Sequence, residues 1–227
     1  MGERQVRNVG ILIFDDVEVL DFCGPFEVFS VARPAGERAD DLRLFTVRTV
    51  AEENRLIRCR GGLQVQPQLT TAAAAPGMFD ILVVPGGQGT RRERLNGRLL
   101  DWIAAHDGRT ELTISVCTGA FLLAERSLLD GRQATTHWAS VDWMRQQYPA
   151  VSMVADTRFV DEDHIITSAG ISAGIDMSLH VIARLHGSET AAWTARYMEY
   201  EWSGEGRVLS DEEQDLGIAP ADWHCAD

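Results

Sequence analysis

Short, largely apolar runs punctuate this chain, and polar turns end them. Residues 9–14 (VGILIF) and 79–84 (FDILVV) have this form, the pattern of strands covered on both faces in a parallel sheet. Residues 42–50 alternate and predict a second strand. Residues 113–116 (TISV) are β-branched and apolar, and they run directly into Cys117-Thr118-Gly119 and an apolar helix-forming stretch. Residues 56–59 and 63–65, on either side of Gly61-Gly62, read as an antiparallel hairpin expected at the sheet edge. Residues 26–32 read as a helix with Pro25 suited to its first turn, following an acidic loop at 15–21. Further helices are predicted over 95–106, 141–147, from Gly174 through Leu185, and over 189–200. Short strands are predicted at 151–154, 158–160 and 164–167.

Strands alternating with helices across glycine turns predict an α/β fold with a doubly wound, mostly parallel sheet and a small antiparallel hairpin insertion. A single domain is expected over residues 1–202. The acidic, aperiodic stretch 203–227 is expected to be an irregular tail.

Composition narrows the function classes. At 45% hydrophobic and 24% charged over 227 residues, the chain suits one folded domain. No apolar run approaches the roughly 20 residues of a membrane span, and the first residues hold no apolar signal core, so no membrane partner and a cytoplasmic location are expected. With 21 basic against 34 acidic residues the net charge is −13, a poor match to a phosphate backbone, and no nucleic acid partner is expected. All the basic residues are Arg, which excludes a pyridoxal Schiff base, a P-loop lysine and a Ser–Lys dyad. Cys23, Cys59, Cys117 and Cys225 show no CxxC spacing, so neither a zinc knuckle nor a thioredoxin-type pair is indicated. Neither a metal nor an organic cofactor is expected.

Ligands in open α/β sheets bind at the carboxyl ends of the strands, and three strand ends here carry chemistry. Cys117 stands at a strand-to-helix corner, where unpaired backbone N–H groups and the helix dipole are expected to lower a thiol pKa. Gly86-Gly87 ends a buried strand, and a glycine pair lets backbone N–H groups approach a ligand closely. Asp21 lies between Leu20 and Phe22, an apolar setting expected to raise its pKa and keep it protonated. His137, in Thr135-Thr136-His137-Trp138, is a candidate accessory base, against the bland alternative of a satisfied structural histidine.

Ser115-Val116-Cys117-Thr118-Gly119, Val84-Pro85-Gly86-Gly87, Leu20-Asp21-Phe22-Cys23-Gly24-Pro25, Ala134-Thr135-Thr136-His137-Trp138 and Ala173-Gly174-Ile175-Asp176 together resemble the ThiJ/PfpI superfamily of glutamine amidotransferase-like proteins. Within it they are most similar to the isonitrile hydratase branch and to the amidotransferase-like domains of arabinose-regulator-type transcription factors. The resemblance covers about residues 9–185. It implies a flavodoxin-like sandwich, usually a homodimer, with Cys117 as nucleophile, Asp21 as its carboxyl partner, and the N–H groups of Gly87 and Thr118 as anion-stabilising donors. Thr118 departs from the peptidase branch, which has a histidine there, and a Cys–His peptidase is not implied. The implied activity is a cofactor-free lyase that hydrates an isonitrile to an N-substituted formamide. The alternatives are hydrolase or glyoxalase-type chemistry on another small electrophile, and non-enzymatic ligand or redox sensing through Cys117. The regulator branch carries a C-terminal helix-turn-helix domain, which is not expected in a chain ending at Asp227.

Overall fold

The computed structural model describes residues 6–37, 39 and 42–203. The expectation of an irregular tail therefore lies, beyond Ser203, outside the described residues. In chain order the strands are β1 (Arg7–Leu12), β2 (Phe45–Ala51), β3 (Ile57–Arg58), β4 (Gln64–Val65), β5 (Leu69–Thr70), β6 (Ile81–Val84), β7 (Leu112–Val116), β8 (Gln133–Ala134), β9 (Ser152–Met153), β10 (Phe159–Glu162) and β11 (Ile165–Ser168). The helices are α1 (Val19–Val31), α2 (Thr90–Glu93), α3 (Gly97–Asp107), α4 (Gly119–Ala124), α5 (Val141–Gln147), α6 (Ala173–His186) and α7 (Ser188–Tyr197).

A seven-stranded sheet runs in the order β10-β11-β7-β6-β1-β2-β5. Every pairing in it is parallel except β10 with β11. The largely apolar runs became its centre, because a strand with helices on both faces has no polar side to show. Val9, Ile11, Ile81, Leu82, Val83, Val84, Ile114 and Val116 are all buried there. With β1, β6 and β7 adjacent, the strand ends that lead to Asp21, Gly86-Gly87 and Cys117 open on one side of the molecule. No helix among the described residues is long and apolar enough to cross a membrane.

Two local expectations are corrected. Helix α1 begins at Val19, well before residue 26, so Pro25 lies inside it and Asp21 occupies its first turn rather than a loop. Packing overrides the local breaker signal: Phe22, Val28 and Phe29 are buried, and a Cβ on Gly24 would lie 3.1 Å from Ile175 of α6. The β3–β4 hairpin forms its own two-stranded sheet instead of extending the main one; the sheet edge is β5. The hairpin is fastened to the loop after β1. Asp16 N donates to Arg58 O at 2.8 Å, Arg60 N to Val17 O at 2.9 Å, and Arg58 N to Asp15 Oδ1 at 2.9 Å. Arg55 adds an ion pair to Asp15 at 2.6 Å.

Gly119 fixes how closely α4 approaches β6. A Cβ there would stand 2.0 Å from Val84 O and 2.9 Å from Val84 C, both backbone atoms that cannot swing aside. Gly119→Ala is therefore expected to destabilise the fold by about 3 kcal/mol, seen as a lower denaturant midpoint at unchanged m value. A wild-type midpoint would show that this corner has room to spare.

Candidate active site

Cys117 connects β7 to α4 with a left-handed backbone, φ 58°. A side chain in that region costs roughly 1–2 kcal/mol, so the corner must be held from outside. Its N–H donates to Ser168 O at 3.0 Å and Ala169 O at 3.3 Å, while its carbonyl accepts from Thr136 Oγ1 at 2.8 Å. The side chain is 6% exposed. Gly170 allows the neighbours in: a Cβ there would lie 3.0 Å from Cys117 Sγ and 2.5 Å from His137 Cδ2.

Asp21 is fully buried. Its Oδ2 accepts the Gly86 N–H at 3.1 Å, whereas Oδ1 has no hydrogen-bond partner. Gly86 is required here, since a Cβ would stand 2.5 Å from Thr118 N and 2.9 Å from Asp21 Oδ2. Burial first, then the Glu18 charge, push the Asp21 carboxyl up to about 8, against smaller opposing effects of the Cys117 thiol and the Gly86 N–H. The carboxyl thus holds its proton at neutral pH.

The thiol goes the same way. Burial, then the Asp21 charge, push Cys117 well above the ordinary thiol range, and the Thr118 N–H offsets only part of this. This reverses the expectation that the corner lowers the thiol pKa. Helix α4 has only six residues, and its end effect is outweighed by desolvation and an adjacent acid. Thiol and carboxyl perturb each other directly, so they titrate as a pair. At rest both are neutral.

The two expected anion donors separate in role. Gly87 N donates to Thr118 Oγ1 at 3.1 Å, and Thr90 Oγ1 lies 2.8 Å from Gly87 O and 3.0 Å from Thr118 Oγ1. The Gly87 N–H is therefore spent on fixing Thr118, and the Thr118 N–H is the donor that acts on the sulfur. Gly87 itself has φ 123° and leaves no room for a Cβ, which would stand 2.4 Å from Glu18 N.

His137 precedes a short 3₁₀ turn and accepts the Ala139 N–H on Nδ1 at 3.3 Å. Burial, followed by the charges of Arg91 and Arg60, pulls its pKa down. It is a neutral imidazole with its proton assigned to Nε2.

Cys117, Thr118, Gly87 and His137 line one cleft of about 60 Å³, with Glu18, Arg60, Gln88, Arg91, Trp143 and Ile171 among its other walls. Glu18 belongs to the acidic stretch 15–21, but Arg60, Arg91 and Trp143 carried no signal in the sequence, because hairpin and helix residues meet there only through topology. A larger groove of about 520 Å³, lined by groups such as Glu52, Arg55, Glu93 and Arg98, contains no cysteine, histidine or hydroxyl side chain. Cys23 and Cys59 lie off the corner, and burial pushes both thiols up; Cys225 lies outside the described residues. Asp176 of the last motif is structural, paired with Arg158 and accepting the Tyr200 hydroxyl at 3.1 Å.

The family model described as the DJ-1/PfpI family matches residues 7–184. The chain is 32% identical over 194 residues to an isonitrile hydratase of Pseudomonas putida, across 85% of this chain and 78% of that one. It is 29% identical over 198 residues to the HTH-type transcriptional regulator GbdR of Pseudomonas aeruginosa, which covers 87% of this chain but only 52% of the regulator. Among solved structures, a ThiJ/PfpI family protein from Pseudomonas syringae superposes with a TM-score of 0.76 at 26% identity, over 87% of this chain and 76% of that one. Drosophila melanogaster DJ-1beta superposes with a TM-score of 0.74 at 20% identity, over 87% of this chain and all of that one.

Proposed function

This chain belongs to the DJ-1/PfpI family, and on that premise we propose that it is a cysteine-dependent, cofactor-free hydratase of the isonitrile hydratase type. It would act as a cytoplasmic homodimer, turning a small isonitrile and water into an N-substituted formamide. The observation that carries this reading is Asp21: a buried carboxyl that keeps its proton at neutral pH and has one oxygen free of hydrogen bonds, beside Cys117.

An isonitrile carbon accepts a nucleophile and a proton on the same atom, and a neutral thiol–acid pair supplies both. The Cys117 sulfur bonds to that carbon as the Asp21 proton passes to it. The thiol proton then restores the carboxyl, leaving a thioimidate on sulfur. Water adds to the same carbon while Asp21 takes a proton from it and delivers one to nitrogen. The C–S bond breaks as the formamide carbonyl forms, and the remaining hydroxyl proton returns to sulfur. The Thr118 N–H stabilises charge at the sulfur and in the tetrahedral species, Gly87 positions Thr118, and His137 takes the accessory role of orienting the water.

The alternatives fit less well. Oxidative sensing depends on an exposed, low-pKa thiolate, and this thiol is buried and pushed up. Hydrolase or glyoxalase chemistry on another electrophile would use the same pair, but does not call for an acid held protonated at rest.

Purified protein incubated with alkyl and aryl isonitriles is expected to form the matching formamides. The kcat/KM should be level in mild acid and fall as pH rises through about 8, where Asp21 loses its proton. Absence of formamide from every isonitrile offered would overturn the assignment, as would a rate that climbs through that range.

A further inference from the structure

The reaction itself does not explain why the cleft over Cys117 presents arginines in a chain with 34 acidic and 21 basic residues. Three charged side chains line it: Glu18, Arg60 and Arg91. Glu18 Oε2 and Arg60 Nε face each other at 3.6 Å, so their charges largely offset. Arg91, half-buried on α2, donates to the Gly87 carbonyl at 3.5 Å. Among the described residues no carboxylate forms an ion pair with it, whereas the next residue, Arg92, is paired with both Glu93 and Asp16. Among the described residues the cleft therefore carries one uncompensated positive charge. Its field reaches the neighbouring imidazole of His137. Ala139, Trp143 and Ile171 provide apolar surface.

We propose that this cleft selects substrates bearing a carboxylate, held by the Arg91 guanidinium while the electrophilic carbon lies at Cys117. The substrate class is then a small isocyano carboxylate rather than a neutral hydrocarbon isonitrile, an inference that rests on the hydratase reading for the reacting group but not for the charge. A guanidinium presents paired N–H donors to a carboxylate, and partial burial strengthens the attraction. The neutral resting state of the Cys117–Asp21 pair belongs to the same design, because a resting thiolate or carboxylate at the floor would repel an anion. The selectivity is local, since the molecule as a whole is negative.

The test compares alkylation of Cys117 by iodoacetate and iodoacetamide, near-isosteric reagents that differ in charge. In each, sulfur bonds to the methylene carbon, iodide leaves and the thiol proton passes to solvent. Rates are read at the Cys117 peptide by mass spectrometry at low salt and divided by the rates for the same peptide in urea-unfolded protein. The normalised iodoacetate-to-iodoacetamide ratio is expected to exceed 1 by about ten-fold in the wild type. It should fall toward 1 in Arg91→Gln and recover in Arg91→Lys. Should Arg91→Gln fail to fold, the wild-type ratio decides alone, because it must also drop as sodium chloride is raised. A wild-type ratio at or below 1, or one unmoved by Arg91→Gln in a folded protein, overturns the proposal.

A parallel assay compares isocyanoacetate with its methyl ester, and kcat/KM is expected to favour the carboxylate by about ten-fold. Equal turnover of the two overturns the carboxylate preference and leaves the hydratase reading standing. Anion-selective alkylation with no isonitrile turnover does the reverse.

Discussion

Cys117→Ala is expected to produce no formamide above the uncatalysed background, a loss of roughly 10⁴-fold or more. Without the sulfur no thioimidate can form, and neither Asp21 nor Thr118 can substitute for a covalent step that splits one hard reaction into two easier ones. The variant also separates chemistry from folding. Alanine retains the Cβ and the φ of 58°, so its melting temperature should stay near that of the wild type. Cys117→Gly, which relaxes that backbone, should be more stable than Cys117→Ala by about 1 kcal/mol. Formamide production by a folded Cys117→Ala protein would remove the nucleophile assignment outright.

Asp21→Asn is expected to lower kcat/KM by roughly 10²–10⁴-fold and, at the same time, to stabilise the protein. The amide keeps the shape and can still accept the Gly86 N–H, but has no proton to give to carbon. The stability effect follows from linkage. Below the unfolded pKa of about 3.8 both folded and unfolded chains hold the proton, and the group adds no pH dependence. Between there and about 8 only the folded chain holds it, so wild-type stability falls as pH rises and levels off above that range. The penalty at neutral pH is on the order of a few kcal/mol. The asparagine variant escapes it, and its stability advantage should grow from pH 4 to pH 8. An advantage that stays flat across that range would mean that the carboxyl ionises normally, and with that the proton-donor role would fall.

The parts of this molecule that can be read from the chain are those where one local rule dominates. Residues 79–84 and 113–116 read as buried strands, realised in β6 and β7, and Cys117-Thr118-Gly119 as a tight corner. What failed depended on contacts between distant segments. Gly24-Pro25 is a strong local stop, yet α1 runs through it because Gly24 packs against Ile175. The Gly87 N–H looks free in the sequence, but the Thr118 hydroxyl, 31 residues away, takes it. The thiol shift has the opposite sign from the one the corner suggests, because the depth of burial and the approach of Asp21 are tertiary facts. Arg60 and Arg91 gave no signal at all, for an arginine in a loop or a four-residue helix looks like any solvated charge.

The hairpin fastened over the loop after β1 divides the labour of the site. It is hydrogen-bonded to Asp15, Asp16 and Val17 but shares no ladder with the main sheet. Replacing its turn would change the group at position 60 without shifting the register that aligns Cys117, Asp21 and Gly86. The hairpin thus supplies an exchangeable piece of the cleft wall, at Arg60, beside the fixed elements that carry Cys117, Asp21 and Arg91. A library confined to residues 57–65 should retune selectivity while preserving the reaction, making that segment the natural place to begin evolving this protein toward new substrates.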